Sequence, residues 1–372
     1  MIPVYKPFLE KYKESAIQAI NSEWISNHGV YIELTTNLLK KILNVKYCIL
    51  MNNGTSATHC LFKSLKFKYP DINKIYVPNN VFVSPWNCCL MEYNSTQIEV
   101  MKMDSKSFNI DVSEESIKTL DKNSAVLIVH NLGNIVNVPR LKRIRPDLIF
   151  IEDNCEGIFG KYENIYSGTG ECSLCSSVSF YGNKTITTGE GGAFFTNDLD
   201  VYKYIKTYYS HGMSDIRYIH NIEGTNYRMT NIQASLLYDQ LNDIDTILNM
   251  KKQLYNYYKL LYNNLPEKYK NIFLLLVEEK DTDHSKWVFS LLTNNFDYEH
   301  FENYMNEKNI QIRPLFYDIH SHFHLSNIKN NFNKIDINGF ILPSYPELTK
   351  IQQDYIFDCL VEYCVLNNKL KI

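Results

Sequence analysis

Two side chains about thirty residues apart carry the most chemistry in this chain. Lys184 sits in S-V-S-F-Y-G-N-K-T-I-T-T-G-E-G-G, and Asp153 closes the apolar run L-I-F-I-E-D. A lysine among small and apolar residues loses its proton at modest cost, and the neutral amine attacks an aldehyde to form a Schiff base. A carboxylate at the end of a buried strand can hold a pyridine-type nitrogen in its protonated form, which turns that ring into an electron sink. The pair therefore implies covalent amine chemistry on a bound ring aldehyde.

A phosphate site accompanies them. In Asn52-Asn53-Gly54-Thr55-Ser56-Ala57-Thr58, between an apolar strand and a helix, Gly54 lets backbone approach an anion, the helix start offers free N–H groups, and Thr55 and Ser56 add hydroxyls. The plainer account of that stretch is Ser and Thr serving as helix N-caps. Ser179, five residues before Lys184, is placed to reach the same phosphate. Phe82, in V-P-N-N-V-F-V-S-P-W, could stack a flat ring on the pyridine; Trp86 competes with it, and either could be plain core. Aldehyde, ring nitrogen and phosphate together describe pyridoxal 5'-phosphate (PLP).

These residues need a scaffold that gathers them. At 372 residues the chain is long enough for about two domains. Apolar spacing predicts a helix from Phe8 to Ile20 and another after Gly29. Then Y-C-I-L-M, K-I-Y-V-P, Q-I-E-V-M-K-M-D, A-V-L-I-V-H, L-I-F-I-E-D, S-V-S-F-Y and G-A-F-F-T come interleaved with helical patterns, among them helices from Ser56 and from Val81 to Tyr93. That alternation predicts an α/β fold with a mixed, mostly parallel sheet covered by helices. Asn53 to Ser56, Phe82, Asp153 and Lys184 all fall at the carboxyl ends of its strands, where such sheets bind ligands. The pattern turns helical from Asn231 to a hinge at Leu265-Pro266. It divides the chain into a large domain, residues 1–245, and a smaller C-terminal α/β domain, residues 246–372. In the latter we expect K-W-V-F-S-L-L-T as a strand, helices at Tyr298–Lys308 and Lys350–Leu366, and an exposed Asn-rich loop from Ser326 to Asn338.

Composition narrows the function classes. A net charge of -3 provides no basic patch for nucleic acid. No segment has the length and apolarity of a membrane span, and the N-terminus lacks signal-peptide character, so a soluble cytoplasmic protein is expected. Nine cysteines sit mostly in apolar runs and read as free, buried thiols. Cys172 and Cys175 have redox or zinc spacing without a second pair, and His320, His322 and His324 alternate without an acidic partner. No metal site is assigned to either set. Asp281, Asp283 and His284 read as a solvated turn.

The motifs N-G-T-S-A, I-E-D-N-C-E-G, S-F-Y-G-N-K with G-E-G-G, and Y-S-H-G followed by N-Y-R-M-T-N-I-Q-A-S resemble the DegT/DnrJ/StrS family of PLP-dependent sugar aminotransferases, of fold type I. The likeness runs from P-V-Y-K-P to I-R-P-L-F-Y-D-I-H, in the family's order. It implies that Lys184 forms the internal aldimine and that Asp153 pairs with the pyridine nitrogen. Gly54, Thr55, Ser56 and Ser179 would bind the phosphate, and Phe82 would take the stacking position. Asn226 and Arg228 match residues that reach the cofactor of the neighbouring subunit in a homodimer with shared sites. Glu156 matches the position near the pyridoxal 3'-oxygen. A Glu there resembles the subgroup that aminates carbon 4 of a nucleotide-linked 4-keto-6-deoxy sugar, such as the perosamine and viosamine makers of glycan synthesis. Arg313 is an anion-binding candidate. His320 fits a sugar-nucleotide position, although Asp318 replaces the family's Pro. Glutamate is the implied amino donor. The competing readings are a 3-keto sugar aminotransferase, a sugar dehydratase of the same fold, against which Lys184 argues, and a non-catalytic PLP-fold regulator.

Overall fold

Short runs of wholly buried residues build the central sheet. In Ala125–Val129 and Gly192–Thr196 every residue is buried, the signature of a strand covered on both faces. The computed structural model describes residues 1–293, 297–329 and 338–367. Its seven-stranded sheet runs in the order Tyr47–Met51, Gly192–Thr196, Ser176–Ser179, Ile149–Asp153, Ala125–Val129, Ile75–Pro78, Ile98–Met101. Gly192–Thr196 is antiparallel to both neighbours and the other strands share one direction. The sheet is therefore mixed and mostly parallel, as expected.

Alternation along each strand sorts the core. Ile49 and Met51 face a cluster with Leu61, Phe62, Leu65 and Trp86. Cys48 and Leu50 face the opposite one, with Leu39, Leu43, Ala234 and Leu237. The Gly54–Lys68 and Ser84–Glu92 helices thus cover one face, and Val30–Leu43 and Asn231–Asn242 cover the other. Three helix starts differ from the sequence expectation, and the helix expected from Val81 begins at Ser84 with Pro85 in its first turn. The first helix begins at Glu14 instead of Phe8: the chain turns with the Tyr12 N–H on the Leu9 carbonyl, and the Tyr12 hydroxyl donates to Asp243. The helix expected from Ser56 begins two residues earlier at Gly54, because Asn53 is its N-cap.

A second, antiparallel sheet has the order Phe273–Leu275, Phe289–Thr293, Asn338–Leu342, Arg313–Pro314. Tyr298–Glu307 and Lys350–Leu366 pack on it through Phe301, Met305, Phe357 and Leu360. The Ile244–Asn263 helix crosses the expected boundary at residue 245. Ile244 and Ile247 enter the large core, and Leu254, Tyr255, Tyr258 and Tyr262 enter the second. The first residues of the chain also join the second unit, since Ile2 exchanges backbone hydrogen bonds with Asn309 and Gln311. Val4, Leu132, Trp287, Val288, Leu315 and Ile341 form a further cluster that joins the two units. The Asn-rich loop expected at 326–338 lies largely outside the described residues.

Candidate active site

At the carboxyl edge of the large sheet, where it meets the second unit, lies a cleft of about 800 Å³. Asn53, Gly54, Thr55, Phe82, Asp153, Glu156, Ser179, Lys184 and Arg313 all line it. The topology explains the convergence. The segments that leave four parallel strands must turn at that edge, and each delivers its chemistry there.

Asp153 ends its strand opposite Val129, 4% exposed. Its Oδ1 accepts the Cys155 N–H at 3.0 Å and its Oδ2 accepts the Thr58 hydroxyl at 3.1 Å, which fixes the plane of the carboxylate. Thr58 is held in turn by the Ser177 hydroxyl at 3.0 Å. Lys184 follows its strand through a turn closed by its own N–H to the Tyr181 carbonyl, 2.9 Å. Its Nζ lies 3.4 Å from Glu156 Oε1, with both side chains nearly buried. Glu156 Oε2 accepts the Leu132 N–H at 2.8 Å, an arrangement that puts Leu132 at φ 58°, in the left-handed region. Burial pushes the Glu156 carboxyl above the ordinary carboxylate range, against the opposing pull of Lys184 and the Leu132 N–H.

The expected phosphate cradle keeps its donors. Asn53 caps the Gly54–Lys68 helix by accepting the Ser56 N–H at 2.8 Å, so Thr55 and Ser56 are not the caps. The Gly54 and Thr55 N–H groups have no preceding helical carbonyl to bond. Gly54 is packed so closely on Ser179 that a Cβ there would lie 2.6 Å from the Ser179 Cβ. A side chain would close the gap between helix start and serine. Ser56 is buried behind this wall and does not line the cleft.

Phe82 stands 57% exposed in the cleft, edge-on to Phe316 at 6.2 Å. Its rival Trp86 is core, fully buried with Nε1–H donating to the Pro78 carbonyl at 2.8 Å. Arg313 lies 4.9 Å from the Tyr5 ring. His320 is exposed and outside the lining, with its backbone N–H on Asp318 Oδ1. The imidazole in the lining is His322, 5.4 Å from the Trp86 ring. Asn226 and Arg228 also stay out of this chain's cleft. They flank the sheet edge, where Met51 bridges Arg228, and the Arg228 guanidinium donates to the Ser210 hydroxyl at 2.9 Å.

Sequence reasoning missed Thr58 and Trp287. Thr58 lies one turn past Gly54, a spacing that turns it back toward the strand ends. Trp287 heads the K-W-V-F-S strand pattern, and nothing local tied it to Lys184. His284 corrects the solvated-turn reading of Asp281 to His284. It is 2% exposed, its Nδ1 accepts the Lys286 N–H at 2.8 Å, and burial holds its imidazole well below the ordinary range. Cys172 and Cys175 are free thiols pushed up by burial, and no group of three His, Cys, Asp or Glu side chains converges on a metal position among the described residues. No described helix is long and apolar enough to cross a membrane.

The donor set fits PLP: a helix start and two hydroxyls for phosphate, a fixed carboxylate for the ring nitrogen, and a lysine within the same cleft. The mixed seven-stranded sheet with this site defines a PLP-dependent transferase of fold type I. Comparison with known proteins narrows the class. Residues 9–361 match the model of the DegT/DnrJ/EryC1/StrS aminotransferase family, and the chain belongs to that family. It is 32% identical to a GDP-perosamine synthase of Escherichia coli O157:H7, covering 97% of this chain and 98% of the relative. A Vibrio cholerae protein of the same name is 29% identical, covering 98% and 99%. Among solved structures, Helicobacter pylori PseC, an aminotransferase involved in the biosynthesis of pseudoaminic acid, superposes with TM-score 0.86 at 21% identity, covering 97% of this chain and 98% of that one.

Proposed function

We propose that the protein transfers an amino group from glutamate to carbon 4 of a GDP-linked 4-keto-6-deoxy hexose, giving a 4-amino-4,6-dideoxy sugar nucleotide. The observation that carries this reading is the convergence of Lys184, Asp153 and the Gly54–Ser179 cradle in one cleft. The relatives named GDP-perosamine synthase, matched end to end, support the choice of nucleotide and sugar. A viosamine-type product on another nucleotide is the nearest variant of the same chemistry.

When bound, PLP supplies an aldehyde for amine capture and a ring that takes up an electron pair. The chain's residues do the rest. Lys184 would be the residue that binds the aldehyde and that holds and moves a proton at Nζ as general acid and base. Asp153, its carboxylate oriented by Thr58 and the Cys155 N–H, would hold a protonated ring nitrogen. Gly54, Thr55 and Ser179 would hold the phosphate, with Ser56 buried behind them, Phe82 would offer its face to the ring, and Glu156 lies 3.4 Å from the Lys184 amine. Arg313 and His322, both in the lining, face the anionic substrate, whereas His320, expected to contact the sugar nucleotide, lies outside this chain's lining. Lys184 and Arg313 are the lysine and arginine of the described lining, so a dianionic phosphate gains a further cation from Arg228, with Asn226, of a second subunit. The exposed Ile216, Tyr218 and Ile219 on the same segment fit that homodimer. The two half-reactions share one site, which predicts ping-pong kinetics.

The test incubates the protein with PLP, glutamate and UDP-, dTDP- and GDP-linked 3-keto and 4-keto sugars, and identifies products by mass and NMR. Amination at carbon 4 of the GDP-linked 4-keto sugar is expected. Amination at carbon 3 would overturn the regiochemistry, and loss of a hydroxyl with no nitrogen gained would move the protein to the dehydratases.

A further inference from the structure

The indole of Trp287 lies against the amine on which the proposed reaction depends. Lys184 Nζ is 3.9 Å from the centroid of its ring, and Glu156 Oε1 is 3.4 Å from the same nitrogen. The amine is thus held between a carboxylate and an aromatic face.

Trp287 is 5% exposed and tied down on all its polar atoms. Nε1–H donates to the carbonyl of Asn183, the residue before the lysine, at 2.8 Å. Its backbone N–H donates to the Ser285 hydroxyl at 3.3 Å, and its carbonyl accepts Lys251 Nζ at 2.7 Å. The Ser285 hydroxyl in turn donates to the Glu156 carbonyl at 2.7 Å. One short segment, Ser285 to Trp287, therefore supplies the aromatic face and holds the backbone of Glu156 and of Asn183, and it belongs to neither of the strands that lead to Glu156 and Lys184.

The two partners differ chemically. A carboxylate attracts an ammonium and can also take its proton, whereas an aromatic face attracts the cation, excludes water and accepts no proton. An amine that must be kept close while it is unbound, without exchanging its proton with the group that holds it, is served by the second kind of contact.

We propose that Trp287 is a further residue of the reaction: the seat for the Lys184 amine in the half of each cycle when the cofactor carries the transferred nitrogen and the lysine is free. This rests on the reading of Lys184 given above. The ring holds the amine within reach of the cofactor and limits its drift toward solvent.

The experiment replaces tryptophan biosynthetically by mono- and trifluorinated tryptophan, which keep the ring's shape and weaken its negative face. In the cofactor-free protein, acetic anhydride labelling of Lys184 is followed by peptide mass spectrometry. Its rate should rise stepwise, about threefold or more by the trifluorinated ring. The holoenzyme should lose kcat in the same order while KM for the keto sugar stays constant. The protein contains three tryptophans, and neither Trp24 nor Trp86 lines the cleft, so fluorination in a Trp287→Phe background should leave labelling flat. Constant labelling across the series overturns the proposal, and so does a rise that persists in Trp287→Phe. A separate control guards the underlying reading: borohydride reduction of the holoenzyme should leave a pyridoxyl group on Lys184. Its absence there would remove the basis of the proposal by a route the labelling series does not share.

Discussion

At the scale of single residues, the site is organised around fixed charges. Asp153 receives two donors, one from its own loop and one from the Gly54–Lys68 helix, so its orientation does not depend on ligand. Asp153→Asn keeps the shape and the loss of charge alone should lower kcat by about a hundredfold or more. Lys184→Ala should abolish turnover and leave PLP bound without a covalent link, seen as a cofactor that dialyses away without prior reduction. Near-native kcat in either variant would remove that residue from its role. These two were legible in the sequence because a lone lysine before G-E-G-G and an aspartate ending an apolar strand announce their chemistry locally. Trp287 was not legible. Its partner, Asn183, is 104 residues away, and a tryptophan at the head of a strand looks like core until the fold turns it.

At the scale of elements, the Ile244–Asn263 helix does more than link two cores. Its Lys251 is 3% exposed and donates to the carbonyls of Trp287 and Ser344, just before one central strand of the second sheet and just after the other. Burial alone lowers its pKa to about 7. The sign follows from the proton count. An unfolded chain keeps this proton up to the ordinary lysine range, whereas the folded chain releases it near 7, so unfolding takes up a proton between those limits and rising pH favours the fold. Urea unfolding of wild type and Lys251→Met at pH 7, 8 and 9 should show wild type gaining on the variant, by up to about 1.4 kcal/mol per pH unit. Parallel pH profiles would refute the assignment. The helix itself was visible in the apolar spacing. Its role across the boundary was not, because periodicity reports which face is buried and not which core buries it.

At the scale of the whole molecule, Asn226 and Arg228 lie outside the cleft of their own chain, and the proposed dimer brings them to the other. Mixing inactive Lys184→Ala with Arg228→Ala subunits should restore activity. Random exchange makes half the dimers mixed, each with one intact site, so about a quarter of wild-type activity is expected after refolding together. No recovery would mean that each chain completes its own site.

The sequence by itself determined the class of chemistry and the kind of sheet. Both are written in short-range patterns: apolar runs that need two covered faces, and a lysine, an aspartate and a Gly-Thr-Ser turn whose reactivity follows from residue type. The tertiary structure put Trp86 in the core and left Phe82, the residue the family resemblance favoured, facing the cleft, and it alone decided that His322 and not His320 lines it and that Trp287 meets the amine. Those outcomes depend on contacts between segments that are far apart in the chain, where the packing of one unit against the other sets the distance.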